Sequence, residues 1–134
     1  WLIVGEMRRG DAVAALFRAQ MSDHPGLSTF HAESPEAAVK RLSLLLFTDE
    51  KIVTAGAKSM FAEAVDILVQ VGFRDVEEHG ELVSRRRIIG VWGVNKELEA
   101  GDVKFINIYT MPGDHKDSRA NDIQAMVRTL GGSV

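Results

Sequence analysis

The chain has 134 residues, a formal net charge of -3 and no cysteine. That length suits one domain with a real core, since chains of this size remove roughly two thirds of their unfolded surface from water. The missing cysteines exclude disulfides and thiolate metal sites, the acidic balance speaks against a nucleic-acid module, and no apolar run approaches the ~20 residues that span a bilayer.

Leu2-Ile3-Val4 is a short apolar run that predicts a buried strand over residues 1–5, ending at Gly5. Because the sequence starts on Trp1 inside that run, it reads as a fragment of a longer protein whose uncovered core edge would favour self-association. Residues 11–21 predict a helix, with Val13, Leu16, Phe17 and Met21 on one face and Asp11 near the exposed amides of its first turn. His24-Pro25-Gly26 predicts a turn and Leu27–Phe30 a second short strand. Ser34, Pro35 and Glu36 then signal a helix start, followed by the apolar stripe Val39, Leu42, Leu45 and Leu46.

Residues 48–57 read as a connection, 58–64 as a third helix and 65–71 as a strand. Asp75–Glu81 is acidic and turn-like. Residues 85–94 and 103–110 alternate in polarity around Gly101-Asp102, which predicts a β-hairpin. Residues 112–117 read as a polar linker, and 120–130 as a last helix stopped by Gly131-Gly132. The order predicts a single α/β domain: a core over 1–72, an antiparallel hairpin over 83–110, and a linker with a terminal helix over 112–134.

Two clusters could carry chemistry. Gly5-Glu6-Met7-Arg8-Arg9 directly follows the first strand, where open α/β sheets bind their ligands. An acid there can polarise a water or reach a metal through one, and arginines beside it can face phosphates. A plain solvated strand-to-helix loop is the competing reading. His24 and His31 bracket the second strand. A strand, a helix and a strand form a βαβ unit with parallel pairing, so Glu6 and His31 should share one sheet edge. A zinc site of His24, His31 and Glu6 is an alternative, although the spacing matches no standard pattern. His79 and His115 read as solvated. Arg85-Arg86-Arg87 is either a basic patch for nucleic acid or acidic lipid, or a strand start balanced by Glu77, Glu78 and Glu81. No G-x-x-x-x-G-K-[ST] phosphate loop occurs in the sequence.

Taken together, these segments resemble one family. Leu2-Ile3-Val4-Gly5-Glu6-Met7-Arg8 resembles the Walker B box of the type II and type IV secretion ATPases, hexameric motors that also drive pilus assembly. Ser22 to Pro35, SDHPGLSTFHAESP, resembles the family's histidine box, and Ala64 to Gln70, AVDILVQ, a later strand of the same core. The resemblance covers roughly residues 1–110 and looks closer to the pilus-assembly and tight-adherence branch. Ser22-Asp23 stands where Thr-Gly is usual, Glu33 where Asn is usual, and Arg9 where Gly or Asp is usual.

The resemblance implies the C-terminal part of a RecA-like P-loop NTPase domain, a three-layer αβα core continued by the hairpin. It implies that Glu6 acts on the attacking water near Mg²⁺, touching the metal only through a bound water, and that His31 lies near the terminal phosphate of ATP. Arg8 and His24 would be nucleotide-binding residues, with a structural role for His24 as the alternative. The parent would be a cytoplasmic homo-hexamer docked on an inner-membrane platform protein, moving pilin or a secreted protein, with no nucleic-acid partner. The phosphate loop would lie N-terminal to Trp1, so the chain alone would be inactive. A non-catalytic interaction module of the same fold and a DNA-binding domain are the competing readings.

Overall fold

Three helices carry the packing of the first half: α1 (Gly10–Met21), α2 (Pro35–Glu50) and α3 (Thr54–Ala64). Two short strands, β1 (Leu2–Val4) and β2 (Gly26–Ser28), flank α1 in the chain. Three longer strands follow, β3 (Ile67–Glu78), β4 (Glu81–Val94) and β5 (Phe105–Thr110). This computed structural model describes residues 1–112, so the linker beyond Pro112 and the helix expected over 120–130 lie outside the described residues. The chain is a mixed α/β protein that divides into two compact units. Residues 1–68 and 94–106 form the first; of the described residues, 69–93 and 107–112 form the second.

In the first unit, β1 and β2 pair in parallel, with Leu2 opposite Gly26, Ile3 opposite Leu27 and Val4 opposite Ser28. The connecting helix α1 packs its predicted face inward: Val13, Leu16 and Phe17 are buried, together with Ala14. Leu42 and Leu46 of α2 and Phe61 of α3 complete the centre of the core. The Phe17 and Phe61 rings meet edge to face at 6.0 Å, and Phe61 meets Phe105 in the same way at 6.3 Å. Such pairs contribute about 1 kcal/mol each beyond the area they bury.

Helix α2 starts where the sequence signals it. Ser34 adopts an extended backbone and its hydroxyl accepts the Ala37 N–H at 3.1 Å, with Pro35 in the first turn. Its end differs from expectation. Residues 48–50, read as a connection, continue the helix to Glu50, and α3 begins at Thr54 rather than at 58. The stop is a left-handed residue, Lys51 at φ 59°. Its N–H bonds to the Phe47 carbonyl, and the Ile52 N–H bonds to the Leu46 carbonyl. Glycine is the usual signal for this closure, and here a lysine does the job.

Strand β1 is not the buried strand its composition suggests. Ile3 is 74% exposed and Leu2 40%. Among the described strands β1 pairs with β2 alone.

The strand expected over 65–71 runs over 67–78 and pairs with β4, not with β1 or β2, in a three-stranded antiparallel sheet of order β3-β4-β5. The acidic stretch 75–81 is therefore mostly strand. Its turn is only His79-Gly80, both at positive φ (55° and 83°), as the two-residue hairpin turn requires. Ala100-Gly101, at 51° and 81°, make a similar turn in the first unit, closed by reciprocal bonds between Glu99 and Asp102.

Gly10 joins α1 to α2. A Cβ at this position would lie 2.2 Å from the Leu45 carbonyl oxygen, and its N–H donates to the Asp49 carboxylate at 2.6 Å. Gly10→Ala is expected to lower stability by about 2 kcal/mol, because a backbone atom of α2 must move. A lower urea midpoint at unchanged slope checks this.

Candidate functional site

The parallel ladder delivers the two strand ends to the same place. After Val4 the chain passes through Gly5 and Glu6 before α1 begins at Gly10; after Ser28 it passes through Thr29 and Phe30 to His31. The pairing continues past the formal strands. The Met7 N–H donates to the Thr29 carbonyl at 2.9 Å, and the Thr29 hydroxyl donates to the Gly5 carbonyl. Met7 is 9% exposed and packs in the core. Glu6 is thus fixed between a hydrogen-bonded Gly5 and a buried Met7.

At this end Glu6 and His31 meet. The His31 Nε2 lies 3.2 Å from one Glu6 carboxylate oxygen, and the Arg8 guanidinium lies 2.6 Å from the other. The Glu6 side chain is about a quarter exposed, whereas His31 and Arg8 project into solvent. The Arg41 side chain of α2 donates to the His31 carbonyl at 3.0 Å. The hydrogen bond from Arg8 holds the Glu6 carboxyl below the usual glutamate range, against a smaller opposing effect of partial burial. The charges of Arg8, His31 and Arg41 add to the lowering. The same pair raises the Arg8 guanidinium further above its ordinary value. The carboxylate is therefore anionic at neutral pH and surrounded by donors, which suits it to accept a hydrogen bond from a water or to face a hydrated cation.

Of the four residues singled out from sequence, the structure brings three together: Glu6, Arg8 and His31. His24 precedes β2 and so lies beyond the other end of that strand from His31. Its Nδ1 lies 2.8 Å from the Ser22 carbonyl, beside Asp23 at φ 62°. Glu6, His24 and His31 do not converge as the zinc reading requires, and among the described residues no three His, Asp or Glu side chains are grouped as metal ligands. Two contributors escaped sequence reasoning. Thr29 sat inside a recognised segment without a distinguishing pattern, and Arg41 sat on the wet side of an amphipathic helix, where charge is unremarked.

The remaining sequence candidates lie elsewhere. Arg85 pairs with Glu78 at 2.7 Å, and Arg86 lies over the Phe73 ring. No helix among the described residues is long and apolar enough to cross a membrane.

A family model described as type II/IV secretion system protein matches residues 1–86. That span contains β1 to β3, α1 to α3 and the start of β4, with Glu6, Arg8 and His31 among its residues. An uncharacterised protein of Methanocaldococcus jannaschii is 51% identical over 43 residues; the match covers 32% of this chain and 16% of that protein. The chain thus spans well under two thirds of the length of this curated relative.

The Glu6 carboxyl is expected to titrate below the ordinary glutamate midpoint in a carbon-detected NMR titration, and Arg8→Ala should move that midpoint back up. The sign for stability follows. A depressed folded-state pKa means the pair's contribution is complete above the ordinary glutamate range and is lost as pH falls through the folded-state value.

Proposed function

The chain belongs to the type II/IV secretion system protein family, and from that premise we propose that it forms the catalytic edge of an ATPase that drives protein secretion or pilus assembly. The observation that carries this reading is the contact of Glu6 with His31 at the carboxyl ends of two parallel strands, where open α/β sheets place their ligands. In this reading the segment around Glu6 is a Walker B box and the segment ending at His31 is the family's histidine box.

When bound, ATP would supply the phosphoryl group and Mg²⁺ would neutralise the charge that develops on it. Among the described residues no three such side chains are grouped as metal ligands, and a single carboxylate like Glu6 would fit magnesium, which keeps several waters and takes one or two carboxylates besides substrate phosphates. Glu6 accordingly acts through water. Its carboxylate accepts a hydrogen bond from the attacking water and orients it in line with the terminal phosphate. His31, already at hydrogen-bond distance from Glu6, supplies a donor toward that phosphate. Arg8 is exposed and can turn from Glu6 to a phosphate oxygen, replacing one charge-assisted bond with another. His24 supports the turn into β2.

The phosphate-binding loop, which this sequence does not contain, would come from elsewhere in the full-length protein. The working parent is proposed to be a cytoplasmic homo-hexamer at the inner membrane, engaging a platform protein and moving pilin or a secreted protein. Coupling of nucleotide state to subunit rearrangement would perform that work.

Two outcomes are expected. In the full-length protein, Glu6→Gln should abolish ATP turnover while nucleotide affinity changes by less than roughly threefold, because the amide keeps the size but loses the charge that orients water. Steady-state phosphate release and equilibrium binding of a fluorescent ATP analogue check this; wild-type turnover would refute the role of Glu6. The purified 134-residue chain should release no phosphate above background in the same assay, and measurable turnover there would refute its dependence on an external phosphate loop.

A further inference from the structure

Helix α2 borders a cleft that lies wholly within the first unit. Lys40, Leu44 and Phe47 recur at i, i+4 and i+7, so they share one side of that helix. Lys58 of α3 and the segment Val103-Lys104-Phe105, which leads into β5, supply the other walls. The cleft holds about 840 Å³. That falls within the range of about 300–1,000 Å³ that takes a drug-sized molecule.

The frame of the cleft is tied together. The Phe105 ring rests against Phe61, and the Lys58 ammonium reaches the Asp102 carboxylate at 2.6 Å, which joins α3 to the turn before β5. Leu44 and Phe47 stand at the lip, 63% and 51% exposed. Ser43 lines the cleft yet is only 6% exposed. A serine inside a helix usually turns its hydroxyl to solvent or donates it to the carbonyl one turn back. The Ser43 hydroxyl has no hydrogen-bond partner among the described residues. A buried hydroxyl without a partner costs free energy until something in the cavity meets it.

Charge narrows what that something is. The lining carries three lysines against two acids, Glu36 and Asp102. Lys58 is committed to Asp102, and the pairing keeps that carboxyl below the usual aspartate range, with a smaller contribution from Lys104. Lys40 and Lys104 are exposed and make no ion pair among the described residues. Lys40 and Ser43 lie three residues apart on α2, so an ammonium and a hydroxyl are neighbours at one place in an otherwise apolar wall. Three walls also favour a discrete molecule over a flat bilayer surface.

We propose that this cleft binds a free amphiphilic anion, a small acid with an apolar body. Lys40, Lys104 and the Ser43 hydroxyl meet the acid group, and the body lies along Leu44, Phe47 and Phe105. The site is separate from the chemistry at Glu6 and does not rest on it.

Decanoate and its uncharged counterpart decan-1-ol, both below their aggregation limits, are suitable probes for an amide chemical-shift titration of the 134-residue chain. Decanoate should bind saturably, shift the amides of Ser43, Phe47 and Phe105, and bind roughly fivefold tighter than decan-1-ol. Lys40→Glu or Lys104→Glu should remove that preference. Equal affinities for the two probes, or an unchanged preference in both lysine variants, would overturn the proposal. Shifts confined to the exposed row Val69, Val71 and Phe73 would overturn it too, by placing the binding on the sheet of the second unit. Two further variants address the remaining contacts. Phe47→Ser, at a half-exposed position, should weaken both probes severalfold. Ser43→Ala should weaken decanoate while leaving the urea midpoint unchanged or higher, because it removes an unmet hydroxyl. Unaltered decanoate affinity in both variants counts against the site.

Discussion

The N-terminus of α1 can approach α2 closely only because residue 10 has no side chain. There the Leu45 carbonyl occupies the space a Cβ would need, and the Asp49 carboxylate accepts the Gly10 N–H. A partly buried, charge-assisted bond of this kind satisfies an amide that the helix cannot. It also sets where α1 begins, and hence how much chain is left between Val4 and the helix. Phe17, two turns further on, then meets Phe61, and the exit of α1 returns the chain to β2 beside β1. Parallel pairing follows from that return, and the meeting of Glu6 with His31 follows from parallel pairing.

The legible parts of this arrangement were those with local signals. The Ser34-Pro35 start of α2 is a cap plus a preset φ, and both are readable in isolation. The inward face of α1 and the two short strands follow from periodicity, and the βαβ order implies their direction. From these alone Glu6 and His31 could be placed together, and the segments around them pointed to the family that matches residues 1–86. What escaped depends on contacts far apart in sequence or on residues acting out of type. Gly10 carries no local signal, because its reason lies in α2. Lys51 ends a helix in a conformation glycine usually supplies. The acidic run 75–81 looked like a turn because charges cluster there, yet only His79 and Gly80 leave the strands. The burial of β1 was overestimated because composition reports what a strand prefers, not what covers it.

The site combines a rigid frame with loosely held side chains. Backbone bonds from Met7 and the hydroxyl of Thr29 tie the two post-strand segments together, and Met7 anchors one of them in the core. The ion pairs above that frame are solvent-exposed, where such pairs are weak and salt-sensitive. Glu6 is therefore positioned by its backbone, while its present partners can be exchanged at little cost.

The three consecutive arginines on β4 have a consequence for solubility. They belong to a strand whose neighbour presents Val69, Val71 and Phe73 to solvent, the composition that drives strand-to-strand aggregation when chains first collapse. Arg85 is held by Glu78 and Arg86 lies on Phe73, so charge is distributed along the hairpin rather than concentrated in a basic binding patch. Of the three only Arg86 shares the face of Val69, Val71 and Phe73, and a second hairpin stacking on that row would have to strip water from its guanidinium. The run thus puts one charge beside the apolar row and ties another to the opposite face of the hairpin.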